Sequence, residues 1–227
     1  MKKIMVISLG GSQIIKDSEI NVVFLKKFKD VIRRNSRKYK FVVVCGGGSV
    51  ARMYIQGLKD SSLKLQSFAG ISATRTNARF VSYFFNREQL DGIPRSMPQV
   101  GRLLKHEDII FCGALEYKPE QTSDSTAAQI AREFGGEFIN VTNVDGLFTS
   151  NPKVSKSAKL IREISWKEFH KIASKLSFKP GQHFVLDQKA SKIIKEEKIR
   201  TYIVGSDLRN LDSVLKGKKF KGTIVSD

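Results

Sequence analysis

The segment Phe41-Val42-Val43-Val44-Cys45-Gly46-Gly47-Gly48 limits the possible folds more than any other part of the chain. An unbroken, valine-rich apolar run of this length reads as a strand buried on both faces, the kind found in parallel sheets covered by helices. Ala51, Tyr54, Ile55 and Leu58 then recur at helical spacing, so the order is strand, glycine turn, helix. Residues without Cβ let backbone N–H groups approach an anion closely, and the helix that follows adds its positive end. A turn that needs positive φ is satisfied by one or two glycines. Three in succession, with Arg52 one turn into the helix, point to a phosphate site. The spacing matches neither the P-loop nor the dinucleotide fingerprint.

The N-terminal segment repeats this logic. Lys3 to Leu9 reads as a buried strand ending in Gly10-Gly11-Ser12, and Asn21 to Arg34 places Val22, Leu25, Phe28, Val31 and Ile32 on one helical face. Strand, helix, strand implies parallel pairing through a right-handed crossover, with ligands bound beyond the strand carboxyl ends. Further on, the pattern predicts a helix over Gly70 to Phe85, a short basic helix at Val100 to Lys105 within the segment from Leu90, and a strand over Asp108 to Cys112. A loop follows, and Thr122-Ser123-Asp124-Ser125-Thr126 then opens a helix to Phe134. Capping needs only one such polar residue, so five in a row suggest a site. Later segments read as a strand at Phe138 to Thr142, a turn at Asn143 to Phe148, a strand at Lys159 to Ile164 and a helix at Trp166 to Leu176. A loop at Lys179 to His183 precedes a helix capped by Asp187 and running to Lys198. A strand at Thr201 to Val204, a helix at Asn210 to Leu215 and a terminal strand at Gly222 to Val225 complete the series. The expectation is one α/β domain over residues 1–227, with a mostly parallel central sheet.

Composition narrows the function. With 41% hydrophobic and 27% charged residues the chain is of globular type, but its formal net charge of +18 favours anionic partners. The basic residues are spread along the chain and no nucleic-acid-binding module is present, so specific nucleic-acid binding is not expected. Cys45 and Cys112 each end an apolar run and read as buried thiols, and His106, His170 and His183 lie too far apart to suggest a zinc site. Ile4 to Leu9 is too short for a signal peptide or a membrane span, so a cytoplasmic protein is expected.

The two glycine turns and the hydroxyl-rich helix start all follow buried strands, so a parallel sheet puts them on one rim, around one string of phosphates. Phosphoryl transfer needs alignment and positive charge around the moving group rather than covalent help. Amides at Gly10, Gly11, Gly47 and Gly48 can supply the cradle. Asp124 is open to three roles at this stage: a plain helix cap, a holder of Mg²⁺, or a group that orients a lysine.

Gly10-Gly11-Ser12, Gly46-Gly47-Gly48-Ser49-Val50-Ala51-Arg52, Thr122-Ser123-Asp124 and Thr142-Asn143-Val144-Asp145-Gly146, in this order, resemble the amino acid kinase family, and within it the archaeal type of uridylate (UMP) kinases. Gly70-Ile71, Thr74 to Ala78, and Asp187 before Ala190 and Lys192-Ile193-Ile194 extend the likeness nearly end to end. The resemblance implies a three-layer αβα sandwich, transfer of the ATP γ-phosphate to UMP with Mg²⁺ in pyrimidine nucleotide synthesis, and a hexameric assembly. It implies that Ser8, Leu9, Gly10, Gly11, Ser12, Gly48 and Arg52 meet the ATP phosphates, with Thr142, Asn143, Phe148 and Asn151 at the nucleoside end. It places UMP against Gly47, Ser67, Lys118, Pro119, Glu120, Gln121, Thr122, Ser123 and Asp124, and gives Asp124 the catalytic role.

Several positions depart from that pattern. Ser8 stands where relatives carry lysine or aspartate, Ser67 replaces an aspartate, Glu120 a loop glycine, Phe148 a tyrosine, Asn151 an aspartate and Gln188 a proline. A cation near the γ-phosphate is left to Lys189, Lys192 or Lys118. Two other readings remain beside UMP kinase: a family relative with another small phosphate or carboxylate acceptor, and a nucleotide-binding regulator without catalysis.

Overall fold

The computed structural model of the chain describes residues 2–89, 92–119, 121–152, 154–175 and 186–227. In chain order its elements are β1 (Lys3–Leu9), α1 (Gly11–Ile14), the strands β2 (Ile15–Lys16) and β3 (Glu19–Ile20), α2 (Val22–Asn35) and β4 (Tyr39–Cys45). The middle of the chain forms α3 (Gly48–Gly57), α4 (Leu63–Phe84), α5 (Met97–His106), β5 (Ile109–Cys112), α6 (Ser123–Phe134) and β6 (Glu137–Val141). There follow the short strands β7 (Leu147–Phe148), β8 (Leu160–Ile161) and β9 (Glu163–Ile164), then α7 (Trp166–Ala173), α8 (Gln188–Glu196), β10 (Thr201–Val204), α9 (Leu208–Leu215) and β11 (Thr223–Val225).

Among the described residues, seven strands form one sheet in the order β5-β4-β1-β6-β10-β11-β9. The five strands from β5 to β10 are parallel, and β11 turns back antiparallel to β10. Alternation along the strands divides the core in two. Ile7, Leu9, Phe41, Val43, Cys45 and Phe111 pack on one side with residues of α2, α4 and α9. Val6, Val42, Val44, Ile110, Cys112 and Phe138 pack on the other side with α5, α6, α7 and α8. Helices on both faces of a mostly parallel sheet make the three-layer αβα sandwich the sequence predicts. Cys45 and Cys112 end neighbouring strands but face opposite layers. Burial pushes both thiols up, Cys112 to about 12.

The strand ends at the centre of the sheet meet through bare backbone. A Cβ on Gly11 would lie 2.1 Å from the Gly48 nitrogen and 2.8 Å from the Gly46 oxygen, and one on Gly46 would lie 2.7 Å from the Gly11 nitrogen. Gly48 has φ +60, a second reason for glycine there. The two turns predicted separately from sequence therefore form one contact, which no side chain can enter.

Element boundaries differ from the sequence reading by two residues at the start of α9 and the end of α8, and by more in three places. The helix expected from Gly70 begins at Leu63, capped by the Ser62 side chain on the Leu65 amide, because Leu63 and Leu65 point outward and break the inward pattern. The helix expected from Val100 begins at Met97, with Pro98 accommodated in its first turn. The strand expected at Lys159 to Ile164 is two strands in different sheets, one paired with β7 and one with β11. Leu90, Glu120, Leu176 and the Lys179 to His183 loop lie outside the described residues.

The glycine contact predicts unequal outcomes for one extra methyl group. Gly11→Ala is expected to lose about 3 kcal/mol or more of stability, since backbone on both sides must move. Gly57→Ala, where an added Cβ meets nothing within 4 Å, is expected to stay within about 1 kcal/mol of the parent. Urea unfolding of the two variants beside the parent measures this, and equal midpoints would refute the contact.

Candidate active site

The site is built where β1, β4 and the start of α6 reach the same rim. Ser8, 1% exposed near the end of β1, donates a 2.5 Å hydrogen bond from Oγ to Oδ1 of Asp124 in the first turn of α6. This joins residues 116 positions apart and brings the hydroxyl-rich segment beside the first glycine turn. The turn is fixed by its own backbone: the Gly10 amide donates to Val141 O at 3.0 Å, and the Gly46 amide donates to Leu9 O at 2.9 Å. Asn77 of α4 donates its Nδ2 to the Gly46 carbonyl at 2.8 Å, holding the second turn from the other side.

Arg75, two residues before Asn77, is likewise occupied with main chain. Its Nε donates to Ala114 O at 3.1 Å and its other guanidinium nitrogen to Leu115 O, which fixes the segment leaving β5. A Cβ on Gly113 would lie 2.5 Å from Thr74 Oγ1, so α4 passes directly over this segment. Thr74 Oγ1 accepts the Ala114 amide at 2.9 Å. The loop that reaches Lys118 and Pro119 is thus anchored at its root by α4.

The start of α6 is cross-linked to the start of α8 by one carboxylate. Thr122 Oγ1 accepts the amides of Asp124 and Ser125 and donates to Oδ2 of Asp187. Ser125 Oγ lies 2.9 Å from each Asp187 oxygen, and Oδ1 of Asp187 also caps α8 by accepting the Ala190 amide at 2.8 Å. Thr122 and Ser125 complete a capping box. Sequence reasoning found Asp187 as a cap and Thr122 as a substrate residue; the bond between them, across 65 residues, had no sequence signal.

Asp124 sits on the sheet side of this junction. Burial, with the Asp187 carboxylate nearby, pushes its carboxyl up to about 7, and the Ser8 hydrogen bond opposes the shift. This end of the site is therefore lined by amides, hydroxyls and a weakly acidic carboxyl. Fixed backbone dipoles at two glycine turns and a helix start suit a polyphosphate better than they suit a hydrolytic nucleophile, because among the described residues the Ser8 hydroxyl bonds only to that carboxyl.

The other residues singled out in the sequence are distributed as follows. Gly11 and Gly48 form the glycine contact with Gly46, Gly10 lies against Val141 O, Gly47 lies against Ala51 and Thr74, Ser12 follows in α1, and Arg52 is exposed on α3. Ser67 lies inside α4 and donates to Leu63 O at 2.7 Å, leaving its lone pairs available to a ligand. Lys118 and Pro119 are exposed, and Gln121 donates its Nε2 to Thr126 and Gln129 at 3.1 Å. Thr142 follows β6, its amide bonded to Val204 O, while Asn143 is exposed and Phe148 half-buried in β7. Asn151 is exposed, with its carbonyl accepting the amides of Val154 and Ser155. Glu120 lies outside the described residues.

The raised Asp124 carboxyl has a measurable sign. Unfolded, it ionises near 3.8, and folded near 7, so between these values the native chain holds a proton that the unfolded chain has lost. Its contribution to stability therefore falls as pH rises from about 4 to about 7 and is level above that. Asp124→Asn escapes this loss and is expected to gain about 2 kcal/mol over the parent by pH 8, allowing for partial exposure, and nothing near pH 4. Urea titrations of both proteins at pH 4.5 and 8 check it, and parallel pH curves would contradict it.

Comparison with known proteins gives one family. The profile described as "Amino acid kinase family" matches residues 3–205. The uridylate kinase of Archaeoglobus fulgidus is 33% identical over 224 residues, covering 97% of this chain and 99% of its own. That of Hyperthermus butylicus is 33% identical over 207 residues, covering 89% and 90%. The crystal structure of the Archaeoglobus fulgidus uridylate kinase superposes with a TM-score of 0.85 at 30% identity over the whole of both chains. The paired glycine turns and the polar start of α6 thus occur in a chain that belongs to the amino acid kinase family.

Proposed function

We propose that the chain is a UMP kinase, transferring the γ-phosphate of ATP to UMP to give ADP and UDP in the cytoplasm, as a step of pyrimidine nucleotide synthesis. The carrying observation is the convergence on one rim of the Gly10-Gly11 and Gly46-Gly47-Gly48 turns with Asp124, joined by the Ser8 hydrogen bond. The relatives' printed names favour UMP as acceptor, since the likeness spans the acceptor loop as well as the glycine turns.

On this reading the amides of Gly11 and Gly48, with Ser8, Leu9, Gly10, Ser12 and Arg52, hold the ATP phosphates, the Gly10 amide itself being engaged with Val141 O. Thr142, Asn143, Phe148 and Asn151 serve the nucleoside end. Gly47, Ser67 and the loop from Lys118 to Asp124 hold UMP. A UMP phosphate oxygen attacks the γ-phosphorus in line, the bond from phosphorus to the bridging oxygen breaks, and ADP leaves with that electron pair. Asp124 orients the reacting phosphates through its fixed position beside Ser8. Among the described residues no three acidic, histidine or cysteine side chains gather, which fits Mg²⁺ arriving on the ATP phosphates with most of its water. When bound, the ion neutralises phosphate charge.

The same reading includes a homo-oligomer. Helix α3 buries none of its residues, and Met53 and Tyr54 on it are 63% and 47% exposed. On α4, which packs against α3, Leu63, Leu65 and Phe68 are 71%, 53% and 42% exposed. Apolar residues gathered on one helical pair are characteristic of a contact surface.

Two experiments follow. An ADP-release assay with Mg²⁺-ATP and UMP, CMP, AMP, GMP or isopentenyl phosphate is expected to show selective turnover of UMP, reduced at least 100-fold in Asp124→Asn. Turnover of a different acceptor would move the substrate, and nucleotide binding without turnover would leave a regulator. For assembly, the double variant Met53→Glu, Leu63→Glu is expected to fall in mass by light scattering while retaining its far-UV circular dichroism; an unchanged mass would remove this face from the interface.

A further inference from the structure

Every phosphoryl transfer between two anions needs positive charge, yet Ser8 is bonded to the carboxyl of Asp124, which in turn feels the carboxylate of Asp187. The cations around the rim are not equivalent. Arg75 is committed to the Ala114 and Leu115 carbonyls. Lys192 is paired with Glu196 at 3.9 Å on the outer face of α8, its side chain 62% exposed. Lys118 extends into solvent from the loop. Lys189 differs from all of these. It lies in the first turn of α8, two residues after Asp187, and is half-buried; its Nζ donates to the Pro119 carbonyl at 2.9 Å. Among the described residues it has no carboxylate partner.

Its place is fixed by the carboxylate junction. Asp187 caps α8 and accepts from Thr122 and Ser125, so the first turn of α8 cannot drift from the first turn of α6, where Asp124 sits. An ammonium anchored on this turn and resting on a neutral carbonyl of the loop is positioned to exchange that acceptor for a charged one. Hydrogen bonds to an ionised oxygen are roughly twice as strong as those to a neutral one, so a phosphate arriving at the loop displaces the Pro119 carbonyl. We propose that Lys189 is the acceptor-side cation of this enzyme, exchanging its bond to the Pro119 carbonyl for one to the phosphate of UMP. The inference rests on the UMP kinase reading and adds a cation on the acceptor side of the site.

The test separates charge from tethering. Lys189→Arg keeps the charge, Lys189→Gln keeps a donor for the Pro119 carbonyl without charge, and Lys189→Met keeps only the stem. Lys171→Ala, on the exposed face of α7, controls for the loss of one surface cation. Steady-state assays with the full chain are expected to show kcat/KM for UMP reduced about 10- to 100-fold in the Gln and Met variants, largely restored in Arg and unchanged in the control. KM for ATP is expected to stay within about twofold of the parent in all four. Calorimetric titration is expected to show weaker binding of UMP but unchanged binding of uridine in Lys189→Met. Parental efficiency in Lys189→Gln, or equal losses for UMP and uridine, would reduce Lys189 to a loop tether and overturn the proposal. A parent protein that fails to phosphorylate UMP would overturn the underlying reading instead, with the proposal falling alongside it.

Discussion

The contact of Gly11 with Gly46 and Gly48 is the constraint on which the rest of the site depends. Two parallel strands lie side by side along their whole length, with Lys3 opposite Tyr39 and Leu9 opposite Cys45, and both must turn away at the same height. Ordinary residues would force the turns apart, since even one Cβ at Gly11 would lie 2.1 Å from the Gly48 nitrogen. With glycine on both sides, the turns close onto each other and present their amides together. The strand-end spacing, about 4.8 Å in any sheet, thereby sets how closely the two turns approach.

A second constraint is electrostatic. Asp187 gathers the hydroxyls of Thr122 and Ser125 and the Ala190 amide around one carboxylate, which spends its acceptor capacity on binding two helix starts together. Asp124, next to Ser125 in the first turn of α6, receives one hydroxyl and is held only weakly acidic. The two carboxylates thus divide the work by environment. One is satisfied by two hydroxyls and an amide, and the other receives a single hydroxyl, at a cost in stability that rises with pH.

Much of this arrangement is legible in the sequence because it is local. A valine run followed by three glycines, or five polar residues ahead of a helical pattern, states its geometry within about a dozen positions. The elements that sequence periodicity misplaced owe their form to distant partners. The start of α4 was obscured because Leu63, Leu65 and Phe68 face outward, so the inward pattern becomes visible only near Gly70. The β2–β3 hairpin turns through Asp17 and Ser18, both at positive φ, where glycine or asparagine would have announced it. β8 and β9 are two residues each, and their pairing with β7 and β11 is decided by strands elsewhere in the chain. In the site, every member of the Ser8–Asp124 pair and the Thr122–Asp187 pair was visible as a residue. Neither pairing was, because separations of 116 and 65 positions are bridged only by the sheet.

The departures from the family pattern gain a physical meaning in this frame. A serine at position 8 gives Asp124 a neutral donor where a lysine would give it a counter-charge, so the carboxyl stays weakly acidic instead of being held ionised. Removing a cation from the sheet end places more demand on backbone dipoles and on cations delivered from the helical layer, and α8 begins within reach of the acceptor loop. The net charge of +18 acts over a longer range. A Debye length of about 8 Å in physiological salt restricts most surface lysines to a general field that draws nucleotides in, whereas transfer depends on charges fixed at contact distance. Abundant positive charge on the surface therefore does not replace one well-placed ammonium at the rim, and the helix start that Asp187 locks in place is where such an ammonium can be held without disturbing the glycine contact.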